Sequence, residues 1–98
     1  MEINKHIEDG KLYVSLTDKL DTVTSQELLE ALKEDMTKVS SVEFDFAALN
    51  YISSAGLRAL LTYQKALGGK EKVRVINANE IVKNIFQVTG FVQLIDVI

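Results

Sequence analysis

Residues 45–60 read Asp-Phe-Ala-Ala-Leu-Asn-Tyr-Ile-Ser-Ser-Ala-Gly-Leu-Arg-Ala-Leu, and they are the most informative part of the chain. Residues 41–46 alternate between apolar and polar side chains, as a half-buried strand does. A short polar turn is predicted next, and Ser53 and Ser54 then open a helix whose apolar positions begin at Leu57. Backbone N–H groups at a helix start are unpaired, and the helix dipole there favours negative charge. We therefore expect function at the serine pair.

The residues before this stretch predict a hairpin and a helix. Residues 2–8 and 11–17 alternate as strands around Asp9-Gly10, a pair typical of hairpin turns. A helix is predicted over residues 24–37, because Thr24-Ser25-Gln26-Glu27 has the spacing of a capping box.

The residues after it continue the alternation of strands and helices. The second helix is predicted from Ser54 to Leu67, ended by Gly68-Gly69. A strand at 72–76 follows, then a helix capped by residues 77–80 and stopped by Gly90, and a last strand at 92–96. The predicted order is β-β-α-β-α-β-α-β.

This order and the strand patterns define the expected fold class. Helical crossovers between successive strands favour parallel pairing, so we expect a mixed, mostly parallel sheet. A sheet covered on both faces has nearly all-apolar strands, whereas strands 2, 3 and 4 alternate. The sequence therefore predicts a two-layer α/β domain with helices mainly on one face. The more exposed face is expected to carry Tyr13, Glu43, Asp45 and Arg74.

Composition narrows the classes of function. The 98 residues are expected to form one domain, 1–98, with 47% hydrophobic and 26% charged residues. The net charge of −3 gives no footprint for nucleic acid, and no apolar run is long enough to span a membrane. The first residues lack a signal-peptide pattern, and there is no cysteine. We expect a cytoplasmic protein.

Neither catalysis nor metal binding is predicted. A nucleophilic serine needs a base within hydrogen-bond reach, and the only histidine, His6, lies in the first strand. The carboxylates show no metal-ligand spacing, so no metal and no cofactor are expected. Residues 68–71 lack the upstream glycine and the Ser or Thr of a phosphate loop. We expect a protein that is not an enzyme.

The two serines allow different roles. One hydroxyl suffices to cap a helix, and Ser53 fits that role if the helix starts at Ser54. The Ser54 hydroxyl is then spare, for modification or for contact with a phosphate. Arg58 lies four residues further on, where it either faces solvent or steadies a phosphate on Ser54.

Three segments resemble a known family. Residues 45–61, centred on Tyr-Ile-Ser-Ser-Ala-Gly-Leu-Arg-Ala-Leu-Leu, resemble the signature of the STAS domain family, of the bacterial anti-sigma-factor antagonist type. Leu16-Thr17-Asp18-Lys19-Leu20-Asp21 is similar to the loop before the first helix of that family, often Gly-x-Leu-Asp. Residues 77–91 resemble its C-terminal helix and turn. The resemblance covers nearly the whole chain.

The resemblance implies a partner-switching protein. Such an antagonist binds an anti-sigma factor that is also a serine kinase and thereby frees the sigma factor. The kinase uses ATP to phosphorylate a serine of the motif, which dissociates the complex, and a phosphatase resets it. On this chain the modified residue is Ser54, with Ser53 as second choice. The partner-binding residues are Asp21, Ser53, Ser54, Gly56, Leu57 and Arg58.

The chain departs from the family pattern at three positions. Ser53 stands where the family has Asp, Ala55 replaces a hydroxyl residue, and Asp18 stands where Gly is favoured. One alternative is therefore a STAS-like regulatory or structural subunit without phosphorylation, as in ABC lipid transport or stress-sensing complexes. A third possibility is a module that binds an anion or nucleotide at the same helix start without covalent change.

Overall fold

The computed structural model describes residues 1–98 and contains five strands and three α-helices in the predicted order. Short 3₁₀ turns follow the first helix, at Asp35–Thr37, and the third, at Phe91–Gln93. The main elements are β1 (Ile3–Glu8), β2 (Lys11–Leu20), α1 (Thr22–Leu32), β3 (Ser41–Ile52), α2 (Ser54–Ala66), β4 (Arg74–Ile76), α3 (Glu80–Thr89) and β5 (Asp96–Val97).

The strands form one mixed sheet in the order β1-β2-β3-β4-β5. The β1–β2 pair is antiparallel, and every other neighbouring pair is parallel. Asp9 and Gly10 make the hairpin turn with φ of 51° and 78°, the left-handed region that this turn requires. Because β2, β3 and β4 are parallel, their C-terminal ends lie at one edge of the sheet, which we call the carboxyl edge.

All three helices pack on one face of the sheet. Phe44 and Phe46 point to this face, where Phe44 contacts Tyr63 of α2 and Phe46 contacts Phe86 of α3. Leu28 of α1 belongs to the same buried cluster. The other face is open and carries the four residues expected there: Tyr13, Glu43, Asp45 and Arg74. The predicted two-layer class is confirmed. No helix combines the length and hydropathy needed to cross a bilayer.

The two central strands are longer than predicted. β2 continues to Leu20 and β3 to Ile52, paired in register Leu20↔Ile52. The prediction of a short polar turn between the strand and the serine pair is therefore wrong. Irregularities between Ser15 and Thr17 and between Asp18 and Lys19 shift the pairing, and β-bulges of this kind break the period-two pattern used to define strands.

The start of α1 also differs from the prediction. The helix begins at Thr22, and its N-cap is Asp21 rather than Thr24. A capping box is present, but it pairs Asp21 with Thr24 instead of Thr24 with Glu27. At the other end α1 stops at Leu32. The remaining differences are shorter final strands, since β4 starts at Arg74 and residues 91–93 form a 3₁₀ turn instead of strand.

Candidate functional site at the carboxyl edge

The carboxyl edge brings three helix N-termini together. Each of β2, β3 and β4 leads into a helix, and a polar side chain caps each helix: Asp21, Ser53 and Asn79. The Asn79 amide also donates to the carbonyl oxygens of Leu49 (3.4 Å) and Asn50 (3.2 Å), which fastens α3 to the end of β3. Since each N-terminus carries a partial positive charge, this edge favours negative ligands and acidic groups.

Ser53 is the N-cap of α2. Its Oγ accepts a long hydrogen bond from the Gly56 N–H (3.4 Å), and its own N–H donates to the Leu20 carbonyl (2.9 Å). The role expected of Ser53 as a cap is confirmed. Aspartate and serine cap helices about equally well, so replacing the family's Asp by Ser53 preserves this local structure.

Ser54 is the first residue of α2, and its side chain is exposed. Its hydroxyl has no hydrogen-bond partner within the chain, in contrast to that of Ser53. A group attached to this oxygen would lie in solvent beside the unpaired N–H groups of the first helical turn. The geometry therefore suits a modification that leaves the fold intact.

Gly56 and Leu57 are buried. A Cβ atom at Gly56 would lie 2.6 Å from Ile52 Cγ1 and 2.8 Å from the Leu20 carbonyl oxygen. Glycine is therefore required for the close approach of α2 to the ends of β2 and β3. These two buried residues pack the start of α2 against the sheet and thereby set the position of Ser53 and Ser54.

Arg58 is exposed on α2, one turn after Ser54. The four ion pairs of the chain involve other cations, so Arg58 has no carboxylate partner. Its guanidinium is free to meet an anion from outside the chain.

Asp21 lies partly exposed at the start of α1, on the same edge. Its Oδ1 accepts from the Thr24 N–H (3.0 Å) and from the Val23 N–H (3.1 Å), and Lys19 Nζ is 3.8 Å from its Oδ2. The Thr24 backbone hydrogen bond, and to a smaller extent Lys19, lower the pKa of Asp21 from its ordinary 3.8 against the opposing effect of desolvation.

An Asp21→Asn variant is expected to lose less stability in acid than the wild type. Because the pKa of Asp21 is lowered by folding, its carboxylate stabilises the native state above about pH 4, and this contribution disappears as pH falls through the folded pKa. Asparagine keeps the cap but does not titrate. Urea unfolding at pH 7 and pH 3 measures the difference, with Glu80→Gln as a charge-matched control. An unchanged pH dependence in Asp21→Asn would contradict this account.

Asp18 adopts φ of 70°, in the irregular part of β2. Glycine enters this left-handed region without steric cost, and Asp is among the few other residues found there regularly. The backbone at Asp18 thus has the conformation for which the family's Gly is suited, and the departure is accommodated.

Sequence reasoning missed three exposed apolar side chains at the carboxyl edge. Val23 in the first turn of α1 is 66% exposed, Tyr51 near the end of β3 is 48% exposed, and Ile81 in the first turn of α3 is 59% exposed. Exposed aromatic and aliphatic side chains grouped near one site are typical of protein interfaces. Their position two residues from a cap or from the serine pair was the only available signal.

His6 lies elsewhere, on the open face of the sheet, where its ring stacks on Tyr13 with 4.8 Å between centroids. No group of three or more His, Asp or Glu side chains is arranged to hold a metal ion.

The fold and the edge together define a class: a two-layer α/β domain with an exposed serine where a central strand enters a helix. The chain belongs to the STAS domain family, whose model matches residues 2–98. Among curated protein sequences, none matches significantly.

Solved structures share this fold at low sequence identity. The anti-sigma factor antagonist SpoIIAA in its unphosphorylated form has a TM-score of 0.82 at 16% identity, covering 99% of this chain and 88% of that one. An anti-sigma factor antagonist from Mycobacterium paratuberculosis has a TM-score of 0.86 at 21% identity, covering 98% and 83%. The phosphorylated form of SpoIIAA from Bacillus has a TM-score of 0.73 at 15% identity, covering 99% and 91%. At these identities the likeness concerns the fold.

Proposed function

We propose that this chain is an anti-sigma-factor antagonist that binds an anti-sigma factor with serine kinase activity and is released by phosphorylation of Ser54. The observation that carries the proposal is the Ser54 hydroxyl, which is exposed, unpartnered and located at the first residue of α2. Binding frees the sigma factor, and a phosphatase restores the binding form. All of these partners act in the cytoplasm.

The same edge supplies the other elements of a binding surface. Val23, Tyr51 and Ile81 offer apolar contacts, while Asp21 and Arg58 offer charges of opposite sign. Interfaces combine an apolar centre with a polar rim, and this combination supports docking of a protein partner at the carboxyl edge. Ser53, Gly56 and Leu57 contribute by holding Ser54 in place.

A phosphate at Ser54 is compatible with the fold of the chain but would weaken binding to the partner. It adds about −1.5 to −2 charge at neutral pH, which the N-terminus of α2 stabilises. The resemblance of this fold to both the unphosphorylated and the phosphorylated forms of SpoIIAA agrees with such tolerance. The partner, in contrast, would have to desolvate the new charge against a surface shaped for a hydroxyl.

The chain itself is proposed to be non-catalytic, and ATP is used by the partner. His6 on the open sheet face is not positioned to activate a serine at the carboxyl edge. No nucleic acid or membrane takes part in the proposed mechanism.

Phosphorylation mapping tests the proposal. The purified chain is incubated with each anti-sigma factor kinase of the source cell and ATP, and the modified residue is identified by mass spectrometry. We expect one phosphate on Ser54, none in Ser54→Ala, and retained phosphorylation in Ser53→Ala, where only the helix cap is lost. Binding without any phosphate would favour the unphosphorylated regulatory subunit, and phosphate on Ser53 would contradict the residue assignment.

A further inference from the structure

A groove runs between α1 and α2 on the helical layer. Its two lobes share Gln26, Leu29 and Thr62. The smaller lobe, about 170 Å³, lies toward the helix N-termini and is completed by Thr22, Ser25, Ala55, Arg58 and Ala59. The larger lobe, about 360 Å³, lies toward the C-terminal ends and is completed by Glu30, Lys33, Met36, Tyr63 and Ala66.

Two buried hydroxyl groups in the groove wall have no hydrogen-bond partner. Ser25 of α1 is 4% exposed and Tyr63 of α2 is 2% exposed, and neither Ser25 Oγ nor the Tyr63 hydroxyl is paired. Buried polar atoms are nearly always hydrogen-bonded in native proteins, because an unpaired one has lost its water contacts without replacement. Each lobe therefore has one buried hydroxyl in its wall that could pair with a polar group of a ligand.

The two lobes differ in charge and polarity. In the smaller lobe Arg58 is the one charged residue, and it has no ion-pair partner in the chain. The larger lobe has more apolar wall, from Leu29, Met36 and Ala66. Its two charged residues, Glu30 and Lys33, have opposite signs, so the lobe has no net charge. The smaller lobe therefore favours an anion and the larger one an apolar group.

We propose that this groove binds an acyl-amide anion, with its carboxylate at Arg58 and Ser25, its amide carbonyl at the Tyr63 hydroxyl, and its alkyl chain along Leu29, Met36 and Ala66. Burial raises the pKa of Tyr63, so the phenol stays protonated and donates to a carbonyl. Gln26 is exposed and lies on the rim of both lobes.

The site is separate from the phosphorylation site but shares a helix with it. Ala55 and Arg58 line the groove in the first turns of α2, where Ser54 is also located. A bound carboxylate would occupy Arg58 and add negative charge near Ser54. The ligand proposal does not depend on the kinase, because direct binding to the chain tests it.

Titration of the full chain with N-decanoylglycine, followed by amide chemical shifts and calorimetry below the micelle concentration, tests the proposal. We expect saturable binding with shifts confined to α1 and α2. Arg58→Gln should weaken binding about tenfold, since the contact is charge-assisted, and Tyr63→Phe about three- to tenfold. Thr62→Trp, which fills the groove from its exposed rim, should abolish binding.

Matched ligands separate the two polar contacts. N-decanoylglycinamide lacks the carboxylate, so its affinity should be insensitive to Arg58→Gln. Decanoate lacks the amide, so its affinity should be insensitive to Tyr63→Phe. Thermal melting monitors the fold, and removal of the unpaired hydroxyl in Tyr63→Phe is expected to keep or raise the melting temperature. The proposal would be overturned if Arg58→Gln and Tyr63→Phe weakened the binding of all three ligands equally. Binding that does not saturate, or amide shifts centred on α3, would overturn it as well.

Discussion

A Ser54→Asp variant is expected to bind the anti-sigma factor kinase roughly 30-fold or more weakly while melting within about 2 °C of the wild type, because a charge desolvated without a partner typically costs at least 2 kcal/mol. Ser54 is exposed at the first residue of α2, where an acidic side chain interacts favourably with the helix dipole. The cost therefore falls on the complex and leaves the free domain folded.

Two further variants isolate the charge. Ser54→Asn has nearly the size of the Asp variant without its charge and should keep most of the affinity, and Ser54→Ala should bind like the wild type. Calorimetric titration with the kinase gives the affinities, and thermal unfolding gives the stability. Unchanged binding by Ser54→Asp, or a large fall of its melting temperature, would contradict the proposed switch.

The fold could be predicted because its signals are local. The alternation in residues 41–46, the Asp9-Gly10 turn and a cap of the third helix within residues 77–80 each follow from a few neighbouring residues. The start of α1 could not be resolved, since both Asp21-x-x-Thr24 and Thr24-x-x-Glu27 have capping spacing. In the structure Thr24 Oγ1 accepts from the Asp21 N–H (2.7 Å) and donates to the Lys19 carbonyl (2.8 Å), which favours the first box. The length of β3 depended on pairing with an irregular β2.

The candidate site also has features that the local sequence predicts and features that depend on tertiary packing. The separate positions of Ser53 as cap and Ser54 as spare hydroxyl follow from their order in the chain. The apolar side chains of Val23 and Ile81 belong to helices far apart in sequence, and only the parallel order of the strands brings both to one edge. The unpaired hydroxyls of Ser25 and Tyr63 depend on how α1 packs against α2, which no local pattern encodes.

A Gly56→Ala variant is expected to be less stable by about 2–3 kcal/mol, the upper range for adding a methyl group to a packed interior. In an ordinary helix this change would stabilise by about 1 kcal/mol. Here the new Cβ would lie 2.8 Å from the Leu20 carbonyl oxygen. That oxygen cannot move freely, because it accepts the hydrogen bond of the Ser53 N–H. The clash therefore either costs stability or separates α2 from β2.

Helix propensity alone predicts that Gly56→Ala raises stability, whereas the close contact predicts that it lowers stability, so the sign of the measured change distinguishes the two. Gly69→Ala serves as the control, because φ is +79° there and no atom lies within 4 Å of the new Cβ, so only backbone strain of about 1 kcal/mol is expected. Chemical denaturation gives both values. Since Ser53 and Leu20 hold the start of α2, Gly56→Ala should also weaken kinase binding while Gly69→Ala does not. If alanine at position 56 left stability unchanged or raised it, the close contact of α2 with β2, and with it the positioning of Ser54, would be refuted.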